Sequence, residues 1–150
     1  YFENKNLTFH SDAVWVEDGT IDFYDKGGLG STIYANKIDY RGKGTKTTLG
    51  CIDFSKFIKD NFKLSDYIIV KMDIEGAEYK VIEKMLEKGT FEYIDEFYVE
   101  FHGAKIKDLY PYYDEVKERT GFSAKNHLTQ EIDKFDLRWE VYPYNNWGNF

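Results

Sequence analysis

Five ionisable residues in two short stretches of the sequence could carry out proton or cation chemistry. Asp73, Glu75 and Glu78 lie within six residues of one another, and Glu100 and His102 follow further along the chain. A histidine beside a carboxylate can act as a general base, because the carboxylate raises the basicity of the ring. Three carboxylates this close repel one another unless they bind a cation, a hydrogen-bonding substrate or a shared proton. The alternatives are capping of a helix start for Glu78 and a structural hydrogen bond for His102.

Strand and helix patterns flank both stretches. Residues 67–72 form a continuous, β-branched apolar run, which is typical of a strand buried on both faces of a parallel sheet. An amphipathic helix follows and ends at Gly89. Its inward-facing residues are Ala77, Val81, Ile82, Met85 and Leu86. Residues 96–101 alternate in type and predict a strand that ends at His102, so Glu100 and His102 should share a face.

Two more helices and a last strand complete the second part of the chain. Asp53 is a plausible N-cap in front of apolar residues at helical spacing, which predicts a helix to about Asn61. Residues 110–120 predict a further helix, and residues 137–142 read as the last strand. This alternation of helices and strands predicts a parallel, doubly wound α/β sheet with right-handed crossovers.

The first fifty residues contain strand patterns and glycine-rich segments. Residues 13–16 and 20–24 read as strands that pair as a hairpin across the Asp18-Gly19 turn. The segments at 27–31 and 42–44 read as turns, because neither lies between a buried strand and a helix as a phosphate-binding loop does. The first of them could instead be a mobile loop beside an active site.

Composition limits the class of protein. The 150 residues suffice for one domain, and a hydrophobic content of 42% with 19% aromatic residues excludes a disordered chain. A net charge of −7 without a basic stripe argues against nucleic acid as a partner. Neither a membrane-spanning run nor a signal peptide pattern occurs, and Cys51 is the only cysteine. We therefore expect a soluble, cytoplasmic protein without a membrane partner.

A K-x-D-x-E-G-x-E block at residues 71–78, followed by Y-V-E-F-H at residues 98–102, resembles the FkbM family of methyltransferases. Asp12-Ala13 and Gly30-Ser31 extend the resemblance, which spans roughly residues 6 to 103 in the family's order. It implies the Rossmann-like sheet of class I methyltransferases, mostly parallel and doubly wound. It also implies methyl transfer from S-adenosylmethionine, usually to a hydroxyl of a sugar or natural product.

The resemblance implies roles for single residues. Asp12 and Ala13 would hold the adenine of the cofactor, and Asp73 and Glu75 would face the sulfonium and the acceptor. His102, assisted by Glu100, would remove the acceptor's proton. Further acceptor-binding residues would be Ser31, Glu75 and Glu78. Asp73 and Glu75 could also bind a divalent cation, and their oxygen ligands would favour magnesium or calcium over zinc.

The family's N-terminal cofactor-binding strands have no counterpart in the sequence. A βαβ unit takes about 30 residues or more, so on the order of 60 residues of the family pattern are missing. We expect residues 1–150 to form a single, N-terminally truncated methyltransferase domain that starts near the third strand. Its exposed sheet edge would be covered by a missing N-terminal segment or by a second copy in a homo-oligomer. These residues alone should then bind S-adenosylmethionine weakly or not at all.

Two other functions remain open at this point. Asp73, Glu75, Glu100 and His102 could form the site of a metal-dependent hydrolase, or the chain could be a non-catalytic, methyltransferase-like binding module. Whether the protein is a methyltransferase or a hydrolase, the partner that we expect is a small molecule or a glycan. Aromatic side chains suit stacking on a sugar, although helix packing explains several of them equally well. These side chains are Tyr110, Tyr112, Tyr142, Tyr144 and Trp147.

Overall fold

A computed structural model describes residues 6–25, 27, 30–37, 44–103 and 106–141, which adopt an α/β fold. The strands are β1 (Ala13–Trp15), β2 (Gly19–Asp25), β3 (Thr45–Asp53), β4 (Ile69–Met72), β5 (Glu96–Val99) and β6 (Arg138–Val141). The α-helices are α1 (Phe54–Asn61), α2 (Glu78–Glu87), α3 (Tyr110–Thr120) and α4 (Ala124–Ile132). Among the helices of these described ranges, none combines the length and the apolar character that spanning a lipid bilayer requires.

The described strands form two three-stranded sheets. The first has the order β1-β3-β2, in which β1 runs parallel and β2 antiparallel to β3. The second has the order β4-β5-β6 and is parallel throughout. Helix α2 connects β4 to β5, and α3 and α4 connect β5 to β6, as parallel neighbours require. The predicted parallel sheet with helical crossovers is therefore confirmed for β4-β5-β6, whereas the first sheet is mixed.

The predicted hairpin between β1 and β2 is wrong. Both strands pair with β3, and Ala13 and Gly19 lie opposite the same residue, Cys51. Strand β3 was not predicted, and its first four residues, T-K-T-T, are polar and exposed. Backbone pairing on both sides makes this segment a strand. Parts of the two glycine-rich segments, residues 28, 29, 42 and 43, lie outside the described residues.

One hydrophobic core joins the helices to the second sheet. Val70 lies opposite Phe97 and Met72 opposite Val99, and all four side chains are buried. The buried helix residues of the same core are Val81, Ile82, Met85, Val116, Leu128 and Ile132. On the other face of β4, Ile69 is 59% exposed. The prediction that β4 is buried on both faces is thus wrong, and the described helices cover one face of this sheet, not two.

Helix boundaries follow local sequence signals. Asp53 caps α1 and Ser123 caps α4, each accepting a hydrogen bond from a backbone N–H three residues further on. Helix α3 ends at Gly121, which has a left-handed φ of 76°. The predicted helices at residues 53–61 and 110–120 are confirmed. Helix α4 was not predicted.

Candidate functional site

The acidic block lies between the carboxyl end of β4 and the start of α2. Asp73 directly follows β4, Glu75 and Gly76 form the turn, and Glu78 is the first residue of α2. Glu75 and Gly76 have positive φ angles of 56° and 114°. The second angle is one that glycine adopts far more readily than other residues. The turn therefore brings three carboxylates to the sheet edge where ligands of α/β proteins bind.

Glu78 holds this turn together from the inside. Its side chain is fully buried, and its carboxylate accepts hydrogen bonds from the backbone N–H groups of Ile74 (3.0 Å) and Gly76 (2.8 Å). The same carboxylate lies 2.9 Å from Nδ1 of His102. These N–H groups precede α2, so Glu78 binds the turn and does not cap the N–H groups of the helix, the alternative considered for this residue. Its complete burial speaks against the predicted direct contact with a substrate.

His102 lies among four carboxylates and is only 8% exposed. Beyond the contact of Nδ1 with Glu78, Nε2 lies 3.2 Å from Oε1 of Glu100. The same nitrogen lies 3.7 Å from Oδ1 of Asp73 and 3.9 Å from Oε2 of Glu75. The structure thus brings together the five residues on which the chemistry was predicted. Glu78, however, and not Glu100, is the carboxylate that fixes the ring through Nδ1.

The surroundings of His102 change its pKa in opposite directions. Burial alone would lower the pKa from 6.5, but the hydrogen bond to Glu78 and the charges of Glu78, Glu75 and Glu100 outweigh burial and raise it. Protonation of the ring therefore stabilises the folded protein below pH 6.5. This contribution is lost as the pH rises through the raised pKa of the folded state.

NMR titration of the three histidine rings should give a midpoint above 6.5 for His102. The Glu100→Gln variant should lower that midpoint, because one of the charges that raise it is removed. The spectrum of His102→Gln assigns the resonance. A wild-type midpoint below 6.5 would show that burial, rather than the carboxylates, dominates.

A segment before β3 supplies two contacts that sequence patterns did not indicate. Oγ1 of Thr32 donates to the backbone carbonyl of Glu75 (2.7 Å). Nζ of Lys37 forms an ion pair with the carboxylate of Glu75 and donates to the carbonyl of Gly30 (3.2 Å). Ser31, predicted to bind the acceptor, donates to Oδ1 of Asp25 (3.1 Å). Thr32 and Lys37 belong to no motif. The sequence signal that could have indicated their role is their position shortly after Gly30-Ser31, which is part of the family resemblance.

Asp73, Glu75 and His102 could together hold a divalent ion. One ligand atom from each lies within 4.8 Å of the other two. A carboxylate on the second ring nitrogen, as Glu78 provides here, is the usual partner of a metal-binding histidine. The ammonium group of Lys37, however, pairs with Oε2 of Glu75. A positive charge therefore already lies at one of the three ligand positions.

The residues predicted to hold adenine lie at the start of β1. Ala13 pairs with Cys51 of β3. Asp12 is exposed and lies over Gly50, where an added Cβ atom would come within 2.2 Å of Oδ1 of Asp12. Gly50 thus leaves room for this carboxylate. The contact of Asp12 and Ala13 with a cofactor stays a prediction.

Gly76 is the residue of the turn least able to accept a side chain. A Cβ atom there would lie 2.0 Å from Cδ1 of Ile106 and 3.3 Å from the ring of Tyr34, at a φ of 114°. Gly76→Ala should therefore lower the free energy of unfolding by about 3 kcal/mol. Urea denaturation measures this change.

The matched control for Gly76 is Gly121→Ala. Gly121 also has a positive φ, but an added Cβ atom would meet nothing within 4 Å. This variant should lose only about 1 kcal/mol, from backbone strain alone. Equal losses in the two variants would show that the contacts around Gly76 do not matter.

Comparison with known proteins finds a matching family. The methyltransferase FkbM domain matches residues 8–134, which include the acidic block and His102. The chain has no significant match among curated proteins or solved structures. Since the matched range covers far more than half of the sequence, the chain belongs to the FkbM methyltransferase family.

Proposed function

We propose that the protein is an S-adenosylmethionine-dependent O-methyltransferase that acts on a hydroxyl of a sugar or another natural product. Membership in the family supports methyl transfer as the class of reaction. The arrangement of His102 carries the choice of oxygen as acceptor, because Glu78 fixes Nδ1 while Nε2 faces the acidic turn. A hydroxyl is a poor nucleophile until its proton is removed, and a ring held in this way can remove it.

Two of the carboxylates near His102, those of Glu78 and Glu100, have distinct tasks in this proposal. S-adenosylmethionine, when bound, supplies an electrophilic methyl group on a positively charged sulfur. Glu78 accepts a hydrogen bond from Nδ1–H and so keeps the neutral ring in the tautomer whose Nε2 can take a proton. Nε2 would take the proton of the acceptor hydroxyl while the methyl group passes from sulfur to that oxygen, with S-adenosylhomocysteine as the leaving group. Glu100, 3.2 Å away, then accepts a hydrogen bond from the protonated ring.

The balance of charge around His102 suits a cationic methyl donor. The four carboxylates are those of Asp73, Glu75, Glu78 and Glu100. Against them stand the ammonium groups of Lys37, paired with Glu75, and Lys71, 3.6 Å from Asp73. The excess of negative charge attracts a sulfonium and stabilises positive charge near the turn.

A glycan acceptor gains limited support from the aromatic residues predicted to stack on a sugar. Tyr112 is buried in the core, where it packs against Tyr79. Tyr110 is 46% exposed at the start of α3 and could contact a ring. Tyr142, Tyr144 and Trp147 lie outside the described residues.

The experiment that tests the proposal uses the protein at its natural length. S-adenosylmethionine with a labelled methyl group is incubated with a panel of monosaccharides and hydroxylated natural products, with and without a chelator. Label bound to oxygen, with release of S-adenosylhomocysteine, is the expected result. Hydrolysis of an ester or phosphodiester that needs a divalent ion but no S-adenosylmethionine would favour the hydrolase. Calorimetry that shows no heat at millimolar S-adenosylmethionine would favour the binding module.

A further inference from the structure

Residues 30–37, called the strap below, cross from the first sheet to the chain that follows His102. At one end, Thr32 forms a backbone bridge with Tyr24 of β2. At the other end, Lys37 forms a backbone bridge with Ile106. Nδ2 of the strap residue Asn36 also donates to Oδ1 of Asp108 (2.8 Å). The strap is therefore fixed at both ends while its middle passes the acidic turn.

The strap contacts the turn through two uncharged residues. Thr32 donates to the carbonyl of Glu75, and the ring of Tyr34 lies against Gly76. Burial and the charges of Glu78 and Asp108 raise the pKa of Tyr34, so its phenol stays neutral. These contacts set the distance between the strap and the turn.

The charged member of the strap is Lys37, whose side chain is only 6% exposed. Burying an ammonium group costs free energy unless it is paired and hydrogen-bonded. Here Nζ has the carboxylate of Glu75 and the carbonyl of Gly30 as partners. Glu75 in turn adopts a left-handed φ of 56°, uncommon for a residue with a side chain. Strap and turn are thus arranged so that this lysine and this glutamate meet.

The position of Lys37 coincides with one corner of the cluster that could hold a divalent ion. That cluster uses one oxygen each from Asp73 and Glu75 and a ring nitrogen of His102. Oε2 of Glu75 is the atom that pairs with Lys37, and the same oxygen lies 3.9 Å from Nε2 of His102. An ammonium group and a divalent ion that share this carboxylate oxygen would repel each other.

We infer that Lys37 is a positioning residue of the methyl-transfer site, whose ammonium group takes the place of a divalent ion beside Glu75. It neutralises that carboxylate and holds it against His102 on the side where the acceptor would bind. Its catalytic consequence rests on the proposed function. The effect of Lys37 on the binding of divalent cations does not rest on the proposed function and can be measured separately.

Binding of Mn²⁺ to the full chain, followed by electron paramagnetic resonance, tests the inference. Lys37→Met and Lys37→Gln should bind Mn²⁺ about tenfold or more tightly than the wild type, because a repelling charge is removed. Lys37→Arg should behave like the wild type. Adding Asp73→Asn to Lys37→Met should abolish the gain. Lys37→Gln keeps a hydrogen-bond donor and serves if Lys37→Met folds poorly.

The control is Lys46→Met, which removes an exposed lysine that pairs with Asp22 at 2.7 Å. It should leave Mn²⁺ binding unchanged. Wild-type protein that binds Mn²⁺ as tightly as Lys37→Met would overturn the inference. A lower melting temperature in Lys37→Gln without any gain in Mn²⁺ affinity would also overturn it, since Lys37 would then only stabilise the fold.

Methyl transfer gives an independent second readout. Lys37→Met should lower kcat, and Lys37→Arg should restore most of it. If no variant, including the wild type, transfers methyl groups, the proposed function fails while the Mn²⁺ result still decides the role of Lys37.

Discussion

Replacing His102 with alanine is expected to lower kcat for methyl transfer by about 100-fold or more, the usual contribution of a general base. The reason is the position of Nε2, which faces Asp73 and Glu75 while Glu78 holds Nδ1. Wild-type activity should also rise with pH as the ring loses its proton, at a pH above 6.5 because the carboxylates raise the pKa. The variant should lack this rise. Initial rates across a pH series measure both effects.

The controls for His102 separate chemistry from folding. His102→Gln keeps a polar group beside Glu78 and should fold better than His102→Ala, yet it cannot act as a base. His127→Ala removes a partly exposed histidine of α4 and should retain full activity. Methyl transfer within about threefold of the wild type in either His102 variant would show that another group removes the proton.

Replacing Glu78 with alanine is expected to be the most destabilising single change in the site. The substitution leaves the N–H groups of Ile74 and Gly76 and the Nδ1 atom of His102 without their partner in a buried place. Such a loss should lower the free energy of unfolding by about 3–5 kcal/mol. Chemical denaturation measures it. Methyl transfer should fall as well, because the ring is no longer held.

A conservative variant and a control variant serve as comparisons for Glu78→Ala. Glu78→Gln keeps one acceptor oxygen and should lose less stability than Glu78→Ala. Glu83→Ala removes a glutamate of the same helix that is 37% exposed and pairs with Lys80 at 3.7 Å and with Arg119 at 3.6 Å. It should change stability by less than about 1 kcal/mol. A loss for Glu78→Ala no greater than that for Glu83→Ala would rule out a central role for the buried carboxylate.

The elements that sequence analysis predicted correctly have local causes. Helix α1 follows from apolar residues at helical spacing behind Asp53, and that side chain does accept from the N–H of Lys56 (3.0 Å). Strand β3 escaped prediction because its polar first half becomes a strand only through pairing with β1 and β2. Helix α4 could have been found, since Ala124, Leu128 and Ile132 recur every four residues behind a serine.

Some contacts of the site could likewise be predicted from local sequence patterns, whereas others depend on residues that are distant in the chain. Asp73, Glu75 and His102 could be grouped from sequence, because the ends of neighbouring parallel strands meet at one edge of a sheet. The orientation of the His102 ring could not be predicted from sequence, since it depends on a contact with Glu78 in the first turn of a helix. Lys37 reaches Glu75 from 38 residues earlier in the chain, a contact that no spacing rule predicts.

Helix α2 makes the site and the core parts of one cooperative unit. Its first residue, Glu78, binds the turn and His102, and the next turn of the same helix buries Val81 and Ile82 in the core. Any fluctuation that lifts this helix must release both at once. Local opening of the acidic turn that displaces α2 would therefore draw on the stability of the core. A protein built in this way keeps its site geometry for as long as it stays folded.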